Sequence, residues 1–161
     1  MPRVERWRRA TVLSLSSAFG LGYLPRAPGT FGTLAALPIW WAVAGWSVAA
    51  QLALVVVVGG LAVWVAAQAE WIYARHDVSK VVIDEVAGML VAVVGVAFVW
   101  PNVVAGFVLF RLFDVLKPFP IRWLDRHVGG GFGVVLDDLM AGVYAGVLLH
   151  AFQALWIAAL G

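Results

Sequence analysis

The sequence predicts an all-α, polytopic membrane bundle. Of its 161 residues 63% are hydrophobic and only 12% are charged, and the uncharged stretches are long. A soluble domain carries about 25% charged residues, so this chain has too little polar surface to cover itself in water. A spanning helix needs about 20 apolar residues. Ala27–Ala69, Val86–Phe110 and Leu139–Gly161 each lack Asp, Glu, Lys and Arg entirely. The length suits a single domain, 1–161. Cysteine is absent, which excludes disulfides, thiolate metal sites and cysteine nucleophiles. A net charge of +2 gives no reason to expect a nucleic-acid partner. No cleavable leader is expected either, because the apolar run after MPRVERWRRA is soon broken by Gly, Pro and Arg26 without a clear cleavage site.

The first uncharged stretch is long enough for two helices, near 31–44 and 48–68, broken at Gly45-Trp46-Ser47. The middle stretch allows either one kinked span or a hairpin of helices near 85–100 and 102–115, joined at Trp100-Pro101-Asn102. Proline removes a backbone donor and disfavours helix in the residue before it, and Asn suits a turn. Each half would be about 22 Å long, short of a core of about 30 Å unless the bilayer thins locally. Charge placement favours the hairpin. It puts all eleven Lys and Arg on one side, five in 1–26, two in 75–80 and four in 111–126, with all nine acids. The positive-inside rule makes that side cytoplasmic. The last stretch gives one helix near 137–159. The expected architecture is two helical hairpins connected by a long loop, plus a C-terminal transmembrane helix. The charged cytoplasmic segments are 1–26, 70–85 and 111–138.

The acids gather where the chain meets the membrane. VVIDEVAGMLVA puts Asp84 and Glu85 at the start of an apolar helix, and VVLDDLMAGVYAG repeats the arrangement with Asp137 and Asp138. FRLFDVLKPFP sets Arg111 and Asp114 three apart, on one helical face. Each has a plain structural explanation: Asp84 and Asp137 as N-caps, Arg111 and Asp114 as an ion pair. Capping needs one acid, however, and each helix carries two. Asp84–Gly88–Ala92 and Asp138–Gly142–Gly146 place small residues at four-residue spacing below the acids, a pattern that lets membrane helices approach closely. Paired carboxylates at low dielectric repel unless protonated or bridged by a cation. Hard oxygen ligands without thiols suit Mg²⁺, making Asp84, Glu85, Asp137 and Asp138 candidate metal ligands.

Two further segments fit an anionic ligand. The Pro-Gly-Thr run in LGYLPRAPGTFGTLAALP could hold phosphate oxygens through backbone N–H groups and the hydroxyls of Thr30 and Thr33. KPFPIRWLDRHVGGGFG interleaves Lys117, Arg122 and Arg126 with Phe119, Trp123 and Phe132, as expected of a headgroup-zone segment. It fits a substrate-binding loop and an anionic-lipid anchor equally well. His127 is an ordinary loop histidine, and His150 is expected to be packed and neutral in the last helix.

Together PRAPGTFGTLAALP, VVIDEVAGM, FVLFRLFDVLKPFPIRWLDR and GGGFGVVLDDLMAG resemble the phosphatidylglycerophosphatase A family of bacterial membrane phosphatases, in order and over most of residues 20–146. Thr33 stands where the family more usually has Ser. The resemblance implies Mg²⁺-dependent conversion of phosphatidylglycerol phosphate to phosphatidylglycerol at the cytoplasmic face of the bacterial inner membrane. On this reading Asp84, Glu85, Asp137 and Asp138, with Asp114, form the catalytic metal site. Arg111, Lys117 and Arg126 offset phosphate charge, with Thr30 and Thr33 as further substrate contacts. The nucleophile is a metal-activated water or an aspartate. The sequence has neither an Asp-x-Asp pair nor a Pro-Ser-Gly-His run, the marks of two other phosphatase chemistries. The rival class is a small transporter or channel subunit with an interfacial cation site. Such a path needs polar groups through the membrane depth, and His150 alone is ionisable there. Oligomeric state is not readable from the sequence.

Overall fold

The computed structural model describes residues 3–74 and 78–160, with side chains for 4–74 and 78–155. Arg75 and Asp77, counted above among the cytoplasmic charges, lie outside the described residues, as does the Arg3 side chain. Among the described residues all regular structure is helical: α1 (Arg3–Ser16), a 3₁₀ turn (Leu21–Tyr23), α2 (Pro28–Val43), α3 (Val48–Tyr73), α4 (Ile83–Ala92), α5 (Trp100–Leu116), α6 (Ile121–His127) and α7 (Gly130–Leu160).

Two of these helices, α3 and α7, are long and apolar enough to cross a membrane. At 1.5 Å per residue, the 26 residues of α3 reach about 39 Å. Only 17% of its most apolar window is buried within the protein, so Val56, Val57 and Trp64 face outward. An exposed valine ridge of that size is a liability in water and natural against lipid tails. This outward face is that of a helix suited to a bilayer.

The bundle is organised around α4, whose Ile83, Asp84, Val86, Ala87, Gly88, Met89, Leu90 and Ala92 are all buried. It packs against α2, α3 and α7. The α4–α7 crossing uses the small-residue faces. A Cβ on Gly88 would stand 2.5 Å from the Asp138 carbonyl oxygen, and one on Gly142 would strike the Gly88 carbonyl. Glycine is therefore required where the two acidic helices touch.

Three segments differ from the helix limits expected from sequence. The helix expected over 85–100 ends at Ala92, and residues 93–99 are turn and extended chain. Part of their backbone is satisfied by side chains from elsewhere in the fold. The Gly95 N–H donates to Gln51 Oε1 (2.8 Å), Trp40 Nε1 donates to the Val96 carbonyl (3.1 Å), and Asn102 Nδ2 donates to the Ala97 carbonyl (2.9 Å). Irregular backbone at membrane depth is tolerated only when satisfied in this way. Trp100-Pro101-Asn102 accordingly opens α5 rather than forming the turn, because proline's missing N–H costs nothing at a helix start. The helix expected from 137 begins at Gly130. A Cβ on Gly131 would fall 2.5 Å from the Ala67 amide nitrogen of α3, so the glycine run permits close packing instead of breaking the helix. Finally, α1 and α6 make the charged segments 1–26 and 111–138 partly helical.

Candidate active site

The packing of α4 on α7 sets four carboxylates side by side. Asp84 and Glu85 occupy the first turn of α4, where the positive end of the helix dipole favours them. Val82, not Asp84, is the N-cap residue. Asp137 and Asp138 sit well inside α7, which starts at Gly130, so neither caps a helix. Asp84, Asp137 and Asp138 are only 8%, 5% and 4% exposed. One oxygen from each of Asp84, Glu85 and Asp138 lies within 4.8 Å of the other two. Asp138 also feels the charges of Asp114 and Asp137.

These groups line a cavity of about 330 Å³ that also takes in Pro28, Lys117 and Asp125. Lys117 ends α5 with a left-handed backbone, which turns its side chain back over the cavity. Its ammonium donates to Asp125 Oδ1 (2.7 Å) and Asp137 Oδ2 (2.5 Å). Burial pulls the Lys117 pKa down, but the hydrogen bonds to Asp125 and Asp137 outweigh it and hold the group above the usual lysine value. The lysine is thus a fixed cation. Arg111 is paired with Asp114 one turn along α5. It also stands behind the N-terminus of α2, where a Cβ on Gly29 would fall 2.9 Å from Arg111 Nη1.

Neutralisation by these two cations is incomplete. Among the described residues, Asp84 Oδ1, Glu85 Oε2 and Asp137 Oδ1 are buried without a hydrogen-bond partner. Buried polar atoms are ordinarily satisfied, and an unsatisfied carboxylate oxygen is costly. Three such oxygens at one cavity, in an all-oxygen donor set, fit a hard divalent cation. The acidic cluster of Asp84, Glu85 and Asp138 has the spacing to hold one.

The residues singled out from sequence divide into two groups. Asp84, Glu85, Asp114, Lys117, Asp137 and Asp138 converge on the cavity, and Arg111 reaches it through Asp114. Thr33 does not, since its buried hydroxyl donates to the Gly29 carbonyl (2.9 Å). Thr30 is half-buried and stands outside the cavity lining. Arg126 lines a neighbouring groove. His127 Nδ1 donates to the Trp123 carbonyl (2.8 Å) with its ring stacked on that indole. His150 Nδ1 donates to the Gly146 carbonyl (2.8 Å). Asp125, which the sequence left unassigned, proves to be a partner of Lys117. The two lie on different elements, so no helical period announces them.

A family model described as Phosphatidylglycerophosphatase A matches residues 14–153. The chain is 38% identical to the Phosphatidylglycerophosphatase A of Escherichia coli (strain K12), over 88% of this chain and 83% of that one. It is 36% identical to a Bacteroides thetaiotaomicron protein named "Putative phosphatidylinositol-3-phosphatase", over 89% and 92%. With the Phosphatidylglycerophosphatase A of Haemophilus influenzae the identity is 34%, over 86% of each. No solved structure matches the chain.

Proposed function

The chain belongs to the phosphatidylglycerophosphatase A family, and from that premise we propose that it hydrolyses phosphatidylglycerol phosphate to phosphatidylglycerol and inorganic phosphate. The reaction is Mg²⁺-dependent and takes place at the cytoplasmic face of the bacterial inner membrane. The observation that carries this reading is the set of unpartnered, buried carboxylate oxygens opening on one cavity beside Lys117. The names of these relatives agree in chemistry. Each designates a lipid phosphomonoester carried on a headgroup that is itself joined by a phosphodiester.

Asp84, Glu85 and Asp138 would hold the cation, with the free oxygen of Asp137 facing the same space. When bound, a divalent cation polarises the phosphoryl group and neutralises charge that develops on its oxygens. Lys117 supplies a second positive charge for the nonbridging oxygens, and Asp125 and Asp137 hold it in place. Arg111 fixes Asp114 at the cavity wall. Attack at phosphorus breaks the bond to the glycerol oxygen, which leaves with a proton as the free hydroxyl. The attacking group is water deprotonated by a cavity carboxylate, or an aspartate whose acyl phosphate is then hydrolysed. The cytoplasmic sidedness rests on the clustering of Lys and Arg. The lipid's tails remain in the bilayer, so its headgroup meets the site at the interface.

Phosphate release from phosphatidylglycerol phosphate in mixed micelles tests the reading. Release is expected with Mg²⁺ and should stop in EDTA. A folded protein that releases no phosphate in Mg²⁺ would overturn the assignment, and release that persists in EDTA would overturn the metal.

A further inference from the structure

Beside the carboxylate cavity, on the other side of Lys117, lies a groove of about 370 Å³ between the end of α5 and α6. Lys117 lines both spaces. Their chemistry is opposite: the cavity is walled by carboxylates, while among the described residues no acidic one lines the groove. Arg122 and Arg126, one helical turn apart, share one face of α6. Arg122 Nη2 donates to the Leu116 carbonyl (3.1 Å), which anchors a guanidinium that still has other N–H donors to offer. Arg126 forms no ion pair among the described residues. Lys117, by contrast, is already engaged by Asp125 and Asp137. The free positive charge on this side of the site therefore belongs to the two arginines.

We propose that this groove binds the phosphodiester of the lipid substrate through Arg122 and Arg126 while the terminal phosphomonoester enters the carboxylate cavity beyond Lys117. The inference rests on the function proposed above and adds the origin of its selectivity. Guanidinium groups suit a singly charged diester, whose two nonbridging oxygens match the fork of the arginine. The apolar residues around the groove complete the fit. Phe119 is 81% exposed and Leu116 and Trp123 are also exposed, as expected where acyl chains leave toward the bilayer and aromatic rings sit at headgroup level. The groove is also held in register with the cavity. Tyr144 of α7 donates its hydroxyl to the Phe119 carbonyl (3.2 Å), and Lys117 bonds Asp137 on the same helix. A lipid with a lone phosphomonoester therefore fills only half the site.

Steady-state hydrolysis of phosphatidylglycerol phosphate and of phosphatidic acid, which lacks the diester, tests this. Wild-type protein should prefer phosphatidylglycerol phosphate in kcat/KM. In the double variant Arg122→Gln, Arg126→Gln that preference should fall by about 10-fold or more, mostly through KM, as expected for losing charge-assisted hydrogen bonds. Arg122→Lys, Arg126→Lys should restore part of it. If the arginines serve only to anchor the protein on anionic lipid, both substrates lose rate in parallel and the ratio is unchanged, which overturns the inference. Wild-type protein that hydrolyses phosphatidic acid and leaves phosphatidylglycerol phosphate untouched would overturn both the inference and the function beneath it.

Discussion

Lys117 shows how a single residue joins three parts of the protein. It ends α5, bonds Asp125 on α6 and bonds Asp137 on α7. Its raised pKa has a definite sign for stability. A lysine whose folded pKa lies above the unfolded value, about 10.4, stabilises fully below that value. The contribution is lost as pH rises through the folded value. Thermal stability in detergent should therefore show an alkaline decline above about pH 10 that is smaller in Lys117→Gln. An identical decline in both proteins would remove Lys117 from that role. At this scale the doubled acids were legible in the sequence, because capping could explain at most one of each pair, and in the structure it explains none. Thr33 turns its hydroxyl away from the cavity, as a helical threonine can when it returns the group to the carbonyl four residues back. Asp125 was illegible, since its partner Lys117 lies eight residues away across the turn between α5 and α6, a separation that no helical period marks.

The α4–α7 crossing is the element on which the site depends. Gly88 and Gly142 meet backbone to backbone, and this contact sets the separation of the carboxylates one turn above. Gly142→Leu should cost about 1–3 kcal/mol of stability, as overpacking does in close-packed interiors, and should lower activity even at temperatures where the variant is folded. Wild-type activity and melting temperature in that variant would contradict the crossing described. The small-residue spacing announced this contact in advance. What the sequence concealed were the ends of the helices. Gly129-Gly130-Gly131 has the composition of a breaker, yet Gly131 lies in α7 because α3 passes too close for a side chain. Val93–Val99 has the composition of a helix, yet its backbone is taken over by Trp40, Gln51 and Asn102 from other elements. Trp40 and Gln51, like α3 at Gly131, are distant in the chain, and local pattern does not report them.

For the molecule as a whole, the apolar composition and the sparse charges foretold a helical membrane protein, and the long exposed face of α3 is the structural counterpart of that composition. The same economy explains the site. A chain with so few charged groups commits most of its buried carboxylates to one cavity, with too few cations there to balance them. On the function proposed above, this imbalance receives a divalent cation. Paramagnetic titration with Mn²⁺, a spectroscopic stand-in for Mg²⁺, measures it directly on the whole protein in detergent. Wild-type protein should bind Mn²⁺ and release it on addition of Mg²⁺. In Asp138→Asn the affinity should fall by roughly 10²-fold or more, beyond what loss of an outer-shell partner costs, while the helical content stays unchanged. Equal Mn²⁺ binding by the two proteins, or none by wild type, would contradict the claim.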